Sequence, residues 1–91
     1  MTVKIAGIEF DNNDYDAGGD VLYLHVGDPS SAVDWEDTVE GDGVRYGSDG
    51  SLVGITILNA RKRLDRDGKI VITLPQQRVE ATQLDDVLAP A

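Results

Sequence analysis

The sequence predicts a mainly β protein, an antiparallel meander of about six short strands forming a curled sheet or a small sandwich, with at most one short helix near the C-terminus. Three observations predict it. Short runs of β-branched and large apolar residues alternate with period two. Glycine and aspartate punctuate those runs densely. Two Asp-Gly turn signals stand between consecutive runs.

Val3, Ile5, Ile8 and Phe10 compose the first strand, and the alternation changes phase at Gly7, which predicts a β-bulge there. DYDAGGD then leads into VLYLHV, where Leu22, Leu24 and Val26 share one face and Val21, Tyr23 and His25 the other. Both faces are largely apolar, which predicts a central strand. AVDWEDT is a weaker strand signal, with Val33 and Trp35 alternating with Asp34 and Glu36. VRY and SLVGITIL flank GSDGS; Asp49-Gly50 supplies the positive φ of a tight hairpin, so these two segments pair antiparallel. Val53, Ile55 and Ile57 share one face of the second, and Gly54 marks a close approach by a neighbour. DRDGK reads as a second turn of the same chemistry ahead of KIVITLP, whose strand Pro75 ends because it has no N–H to donate. Beyond it, Thr82 caps a brief helix through Leu84, Val87 and Leu88, stopped by Pro90. The chain thus divides into one β-rich domain over 1–75 and a tail or short helix over 76–91.

At 91 residues the chain encloses one core. A domain of this size buries roughly 60% of its unfolded surface, a thin margin that self-association as a homodimer would supplement. There is no cysteine, which removes disulfides, thiolate zinc sites and cysteine nucleophiles and suits a reducing cytoplasm. MTVKIAGIEF carries Lys4 and Glu9 inside a short apolar stretch, unlike a signal peptide, and no run approaches the ~18 apolar residues of a membrane span. These features predict a soluble cytoplasmic protein. The formal charge is −9, from 17 acidic and 8 basic residues, which opposes nucleic acid and anionic membranes and favours a basic protein or a cation. A saline cytoplasm would select the same acidity. RKRLDR gathers Arg61, Lys62, Arg63 and Arg66; such a cluster is either a solvated edge or a small docking patch, with Arg61 and Arg63 as its contacts.

The acidic opening loop invites a metal reading. Laid on the calcium-binding EF-hand from Asp14, it places Asp16 third and Gly19 sixth, but Gly18 falls fifth and His25 twelfth, where the closing bidentate Glu belongs. DRDG fails likewise, with Arg63 first and Leu74 twelfth. A looser hard-cation site from Asp14, Asp16, Asp20 and His25 is the alternative to plain turn chemistry, in which these short side chains bond local amides. No cofactor is implied. Neither GxSxG nor a phosphate-cradling glycine pattern occurs, and no set of residues is assigned to catalysis. Trp35, the single tryptophan, is core or the anchor of a partner surface.

DYDAGGDVLYLHV followed by GVRYGSDGSLVGITILNA resembles the family known as domain of unknown function 2283, short and mostly prokaryotic proteins with a YD…D.LY element and a later D.dG.ivGiEil.A element. Tyr15, Asp16, Asp20, Leu22 and Tyr23 match the first, and Asp49, Gly50, Val53, Gly54, Ile55, Ile57 and Ala60 the second. Gly47 stands where the family often has Asp, and Thr56 where Glu is usual, which weakens a catalytic reading. The resemblance carries no activity. The gene arrangement of some members resembles that of partners of small toxin-like proteins, which implies a binding role. The sequence therefore predicts a small acidic, non-enzymatic, self-associating protein-binding module.

Overall fold

The computed structural model describes residues 3–27, 32–75, 77–81, 84 and 88. Two short strands, β1 (Val3–Ile5) and β2 (Ile8–Phe10), form a hairpin with Ile5 opposite Ile8. Its turn is Ala6-Gly7, both at positive φ (56° and 77°), the signature of a two-residue type I′ hairpin. The phase change at Gly7 is therefore a reversal of the chain rather than a bulge. A phase change reads alike in both cases until the register is known.

The main sheet is five-stranded and antiparallel: β3 (Asn12–Asp16), β4 (Val21–His25), β5 (Ala32–Asp37), β6 (Gly43–Gly47) and β7 (Leu52–Leu58), in the order β3-β4-β7-β6-β5. The hairpin predicted at Asp49-Gly50 is present, with Gly50 at φ 83° and β6 paired to β7. A third two-stranded sheet joins β8 (Ile70–Thr73) to β9 (Arg78–Ala81). The chain is thus mainly β and antiparallel, but among the described residues nine short strands form three open sheets rather than six forming one curled unit.

The helix is also elsewhere. α1 spans Ala60–Asp67, and the DRDG segment that reads as a hairpin turn is its last turn. Gly68, at φ 74°, is the left-handed residue ending the helix, its N–H donating to the Leu64 carbonyl at 2.8 Å. Asp-Gly supplies the same positive φ to a hairpin and to a helix terminus. Ala60 and Leu64, one turn apart and both buried, decide for the helix. The helix expected over 82–88 falls largely outside the described residues. Of those, Leu84 and Leu88 are buried, and the Leu88 N–H donates to the Leu84 carbonyl.

One face of the main sheet carries the core. Leu22, Leu24, Val44, Ile55 and Ile57 pack with Val3, Ile5 and Phe10 from the first hairpin, Ala60 and Leu64 from α1, and Ile70, Ile72 and Ala81 from the third sheet. Each fully buried leucine or isoleucine contributes about 2 kcal/mol. These elements cover one face of the sheet. The other face is open around Tyr23, 46% exposed on β4, which is expected to be central and is interior to the sheet, although the ring nitrogens of His25 on that face are buried.

Asp42, with no exposed surface, ties the layers together. Arg63 of α1 grips its carboxylate with both terminal nitrogens, at 2.7 and 3.1 Å, and donates also to the carbonyls of Leu58 at 3.1 Å and Val71 at 3.0 Å. Asp42 accepts the Leu58 N–H at 3.2 Å, while its own N–H donates to the Thr38 hydroxyl at 3.1 Å. Removing one partner of such a pair strands the other charge without its counter-ion.

Asp42→Asn is expected to lower unfolding free energy by about 3 kcal/mol. Asp65→Ala, which removes only the exposed ion pair to Arg61, is expected to cost about 0.5 kcal/mol or less. Urea titration compares the two. At Gly68 an added Cβ meets nothing within 4 Å, so the loss of about 1 kcal/mol expected for Gly68→Ala is purely conformational and is read in the same titration.

Candidate functional site

The family-pattern residues and the acidic loop resolve into a scaffold. Tyr15 of β3 donates its hydroxyl to Asp20 Oδ1 at 2.7 Å. Asp20 then receives the first free amides of α1, Arg61 N–H on Oδ1 at 2.7 Å and Lys62 N–H on Oδ2 at 3.2 Å, and its backbone carbonyl takes the Ala60 N–H. Asn59, which precedes the helix, makes no side-chain cap of its own. Asp20 therefore caps α1 across about forty residues of sequence, satisfying amides that no residue of the helix can satisfy. Burial pushes its carboxyl pKa up, but the Tyr15 hydroxyl and the Arg61 and Lys62 amides outweigh it and hold the group below its ordinary 3.8. Tyr15 moves the opposite way, raised first by its bond to Asp20, then by burial.

The remaining pattern residues also serve the backbone. Asp16 accepts the Gly18 N–H at 3.1 Å and Asp49 the Ser51 N–H at 3.0 Å, both local turn bonds. Leu22 and Ala60 are core. Gly54 faces the imidazole of His25: a Cβ there would lie 3.4 Å from Nε2. Asp14 and Asp16 are exposed, whereas Asp20 is turned to the helix. Among the described residues no group of three or more His, Cys, Asp or Glu side chains is placed to hold a metal ion, so Asp14, Asp16, Asp20 and His25 are not brought together as a metal site.

The basic cluster likewise turns inward at one point. Arg63 is 13% exposed and held by Asp42, and the Arg61 guanidinium reaches Asp65 at 2.9 Å. Trp35, by contrast, is 66% exposed. Pairing registers put it in the row Asn12, His25, Gly54, Arg45, Trp35 across the uncovered face of the main sheet. The next row is Asp14, Tyr23, Thr56, Gly43, Asp37, followed by Asp16, Val21 and Leu58. Trp35, Arg45, Gly43, Thr56 and Leu58 line a shallow depression of about 520 Å3 on this face. Leu58 is 44% exposed. The uncovered face was not legible in the sequence as a surface, because Val21, Tyr23 and Leu58 have the composition of covered strand positions. Thr56 and Arg45 gave a polar signal that pointed outward.

A family model described as protein of unknown function (DUF2283) matches residues 12–61. The chain belongs to that family. The match takes in β3 through the start of α1, so it covers the Tyr15–Asp20 cap and all five strands of the main sheet. No curated protein matches the chain, and no solved structure does. Among the described residues no helix is long and apolar enough to cross a membrane.

Since Asp20 ionises below its ordinary value when folded, the folded chain binds fewer protons there than the unfolded chain. Its contribution is complete above the unfolded pKa of about 3.9 and is lost as pH falls through the lowered folded value. Asp20→Asn is expected to be about 1 kcal/mol less stable than wild type at neutral pH, the gap closing under acid, as followed by urea titrations across pH.

Proposed function

We propose that this family member is a small, acidic, non-enzymatic protein-binding module whose contact surface is the uncovered face of the five-stranded sheet. One observation carries the reading: Trp35, Tyr23 and Leu58 stand exposed together on one face of the main sheet, among polar and charged neighbours. Single exposed apolar residues are ordinary, but aromatic and aliphatic side chains aligned on one sheet face mark a surface that meets another molecule. The carboxylates that could have argued for chemistry cap a helix or close turns instead. The absence of cysteine suits work in a reducing cytoplasm. Self-association, the other occupant open to a chain with so small a core, would use the same face and compete with a different partner.

The test is photo-cross-linking in the native cell. p-Benzoylphenylalanine in place of Trp35 or Tyr23 is expected to give discrete adducts of protein mass, and in place of Lys4 or Glu9, exposed on the outer hairpin, none. An adduct of twice 9.8 kDa identifies a second copy. Equal labelling from all four positions, or none from any, removes the reading.

A further inference from the structure

Building on the proposed docking role of the uncovered face, we infer that its occupant is a cationic amphipathic helix of another protein. The three rows on that face hold their carboxylates at the edges, with Arg45 on the interior strand β6. Asp14 and Asp16 line the β3 edge and Asp37 the β5 edge, all exposed, while Arg45 is the one cation in the rows. Between them lie Val21, Tyr23, Thr56 and Leu58, with Trp35 on β5 itself beside Asp37. Gly43, between Asp37 and Thr56, carries no side chain, and the depression there is lined by Trp35, Asp37, Arg45, Thr56 and Leu58.

The dimensions fit a helix. Five strands about 4.8 Å apart set the two edge strands about 19 Å from each other. A helix with its side chains is about 10–12 Å across. It therefore fits between the two edges with an apolar stripe on Tyr23 and Leu58, and lysines or arginines flanking that stripe reach Asp14 and Asp16 on one side and Asp37, beside Trp35, on the other. The chain's net charge of −9 draws such a partner in from a distance.

A second copy fits less well. Stacked sheets keep their strands roughly aligned. A two-fold axis along the strands lays the β3 edge of one copy over the β5 edge of the other, and an axis across them lays each edge over itself. Either arrangement sets Asp14, Asp16 and Asp37 against carboxylates, a juxtaposition that selects against self-pairing.

The probe is a synthetic amphipathic peptide with a leucine stripe flanked by lysines, free of tryptophan, beside an analogue with glutamine for every lysine. Trp35, as the single tryptophan, reports occupancy directly. The lysine peptide is expected to shift Trp35 emission to the blue with saturation, to bind about ten-fold more weakly when salt is raised several-fold, and to bind at least about ten-fold more tightly than the glutamine analogue. Asp14→Lys with Asp37→Lys is expected to weaken binding about ten-fold or more. Glu9→Lys with Glu80→Lys, an equal change of net charge away from the face, is expected to change it less than about two-fold. Equal binding of both peptides, or equal loss in both double variants, overturns the cationic partner and leaves the docking face standing. Sedimentation showing a dimer that Leu58→Lys dissociates overturns it in favour of a second copy. Absence of any Trp35 response overturns it too; whether the face docks a protein at all is then decided by the position-dependent adducts at residues 23 and 35.

Discussion

Asp42 and Arg63 form the contact on which the arrangement of this molecule depends. A carboxylate with no exposed surface sits in the loop between β5 and β6 and holds a guanidinium from α1. That guanidinium also takes the carbonyls of Leu58, at the end of β7, and Val71, in β8. Four separate stretches of chain meet at one planar, five-donor group. Buried pairs of this kind add little net stability over an apolar replacement, yet they tolerate few alternative geometries. Here the geometry fixes which side of the sheet the helix and the third hairpin occupy.

Asp20 completes the same task at the other end of α1. The helix is eight residues long, short for one that must hold its place, and Asn59 supplies no cap. The β3–β4 turn therefore provides it, with Tyr15 bracing the carboxylate from the side. Glu40 makes a related tie from the β5–β6 loop, accepting both the amide and the hydroxyl of Thr73 in β8. Acidic residues so placed account for part of the negative composition in structural terms. Of the carboxylates on the uncovered face, Asp16 closes the Gly18 turn, while Asp14 and Asp37 stand exposed.

With all the covering elements gathered on one side, the second face of the main sheet stands as a surface. It mixes apolar Val21, Tyr23, Leu58 and Trp35 with polar and charged positions such as Asp14, Asp37, Arg45 and Thr56. The proposed function rests on this asymmetry of coverage rather than on a pocket: the depression beside Trp35 is open, and Gly43, Arg45, Thr56 and Leu58 line it.

By itself the sequence determined the β character, the Asp49-Gly50 hairpin, the antiparallel pairing of the segments flanking it and the family pattern, because alternation and turn chemistry are local properties. It also offered turn chemistry for the aspartates near Gly18 and Gly50, since an Asx bond reaches only two residues, and both bonds form in the structure. Tertiary structure alone decided three things. Ala6-Gly7 and Asp67-Gly68 required register and packing to be told apart from a bulge and a hairpin, because positive φ serves several turns equally. Asp20 and Asp42 found partners 41 and 21 residues away, a distance no local pattern encodes. And β4 and β7, apolar on both sides, could be seen to have an uncovered face only once every covering element had a place, because burial is a property of what lies opposite rather than of the residue itself.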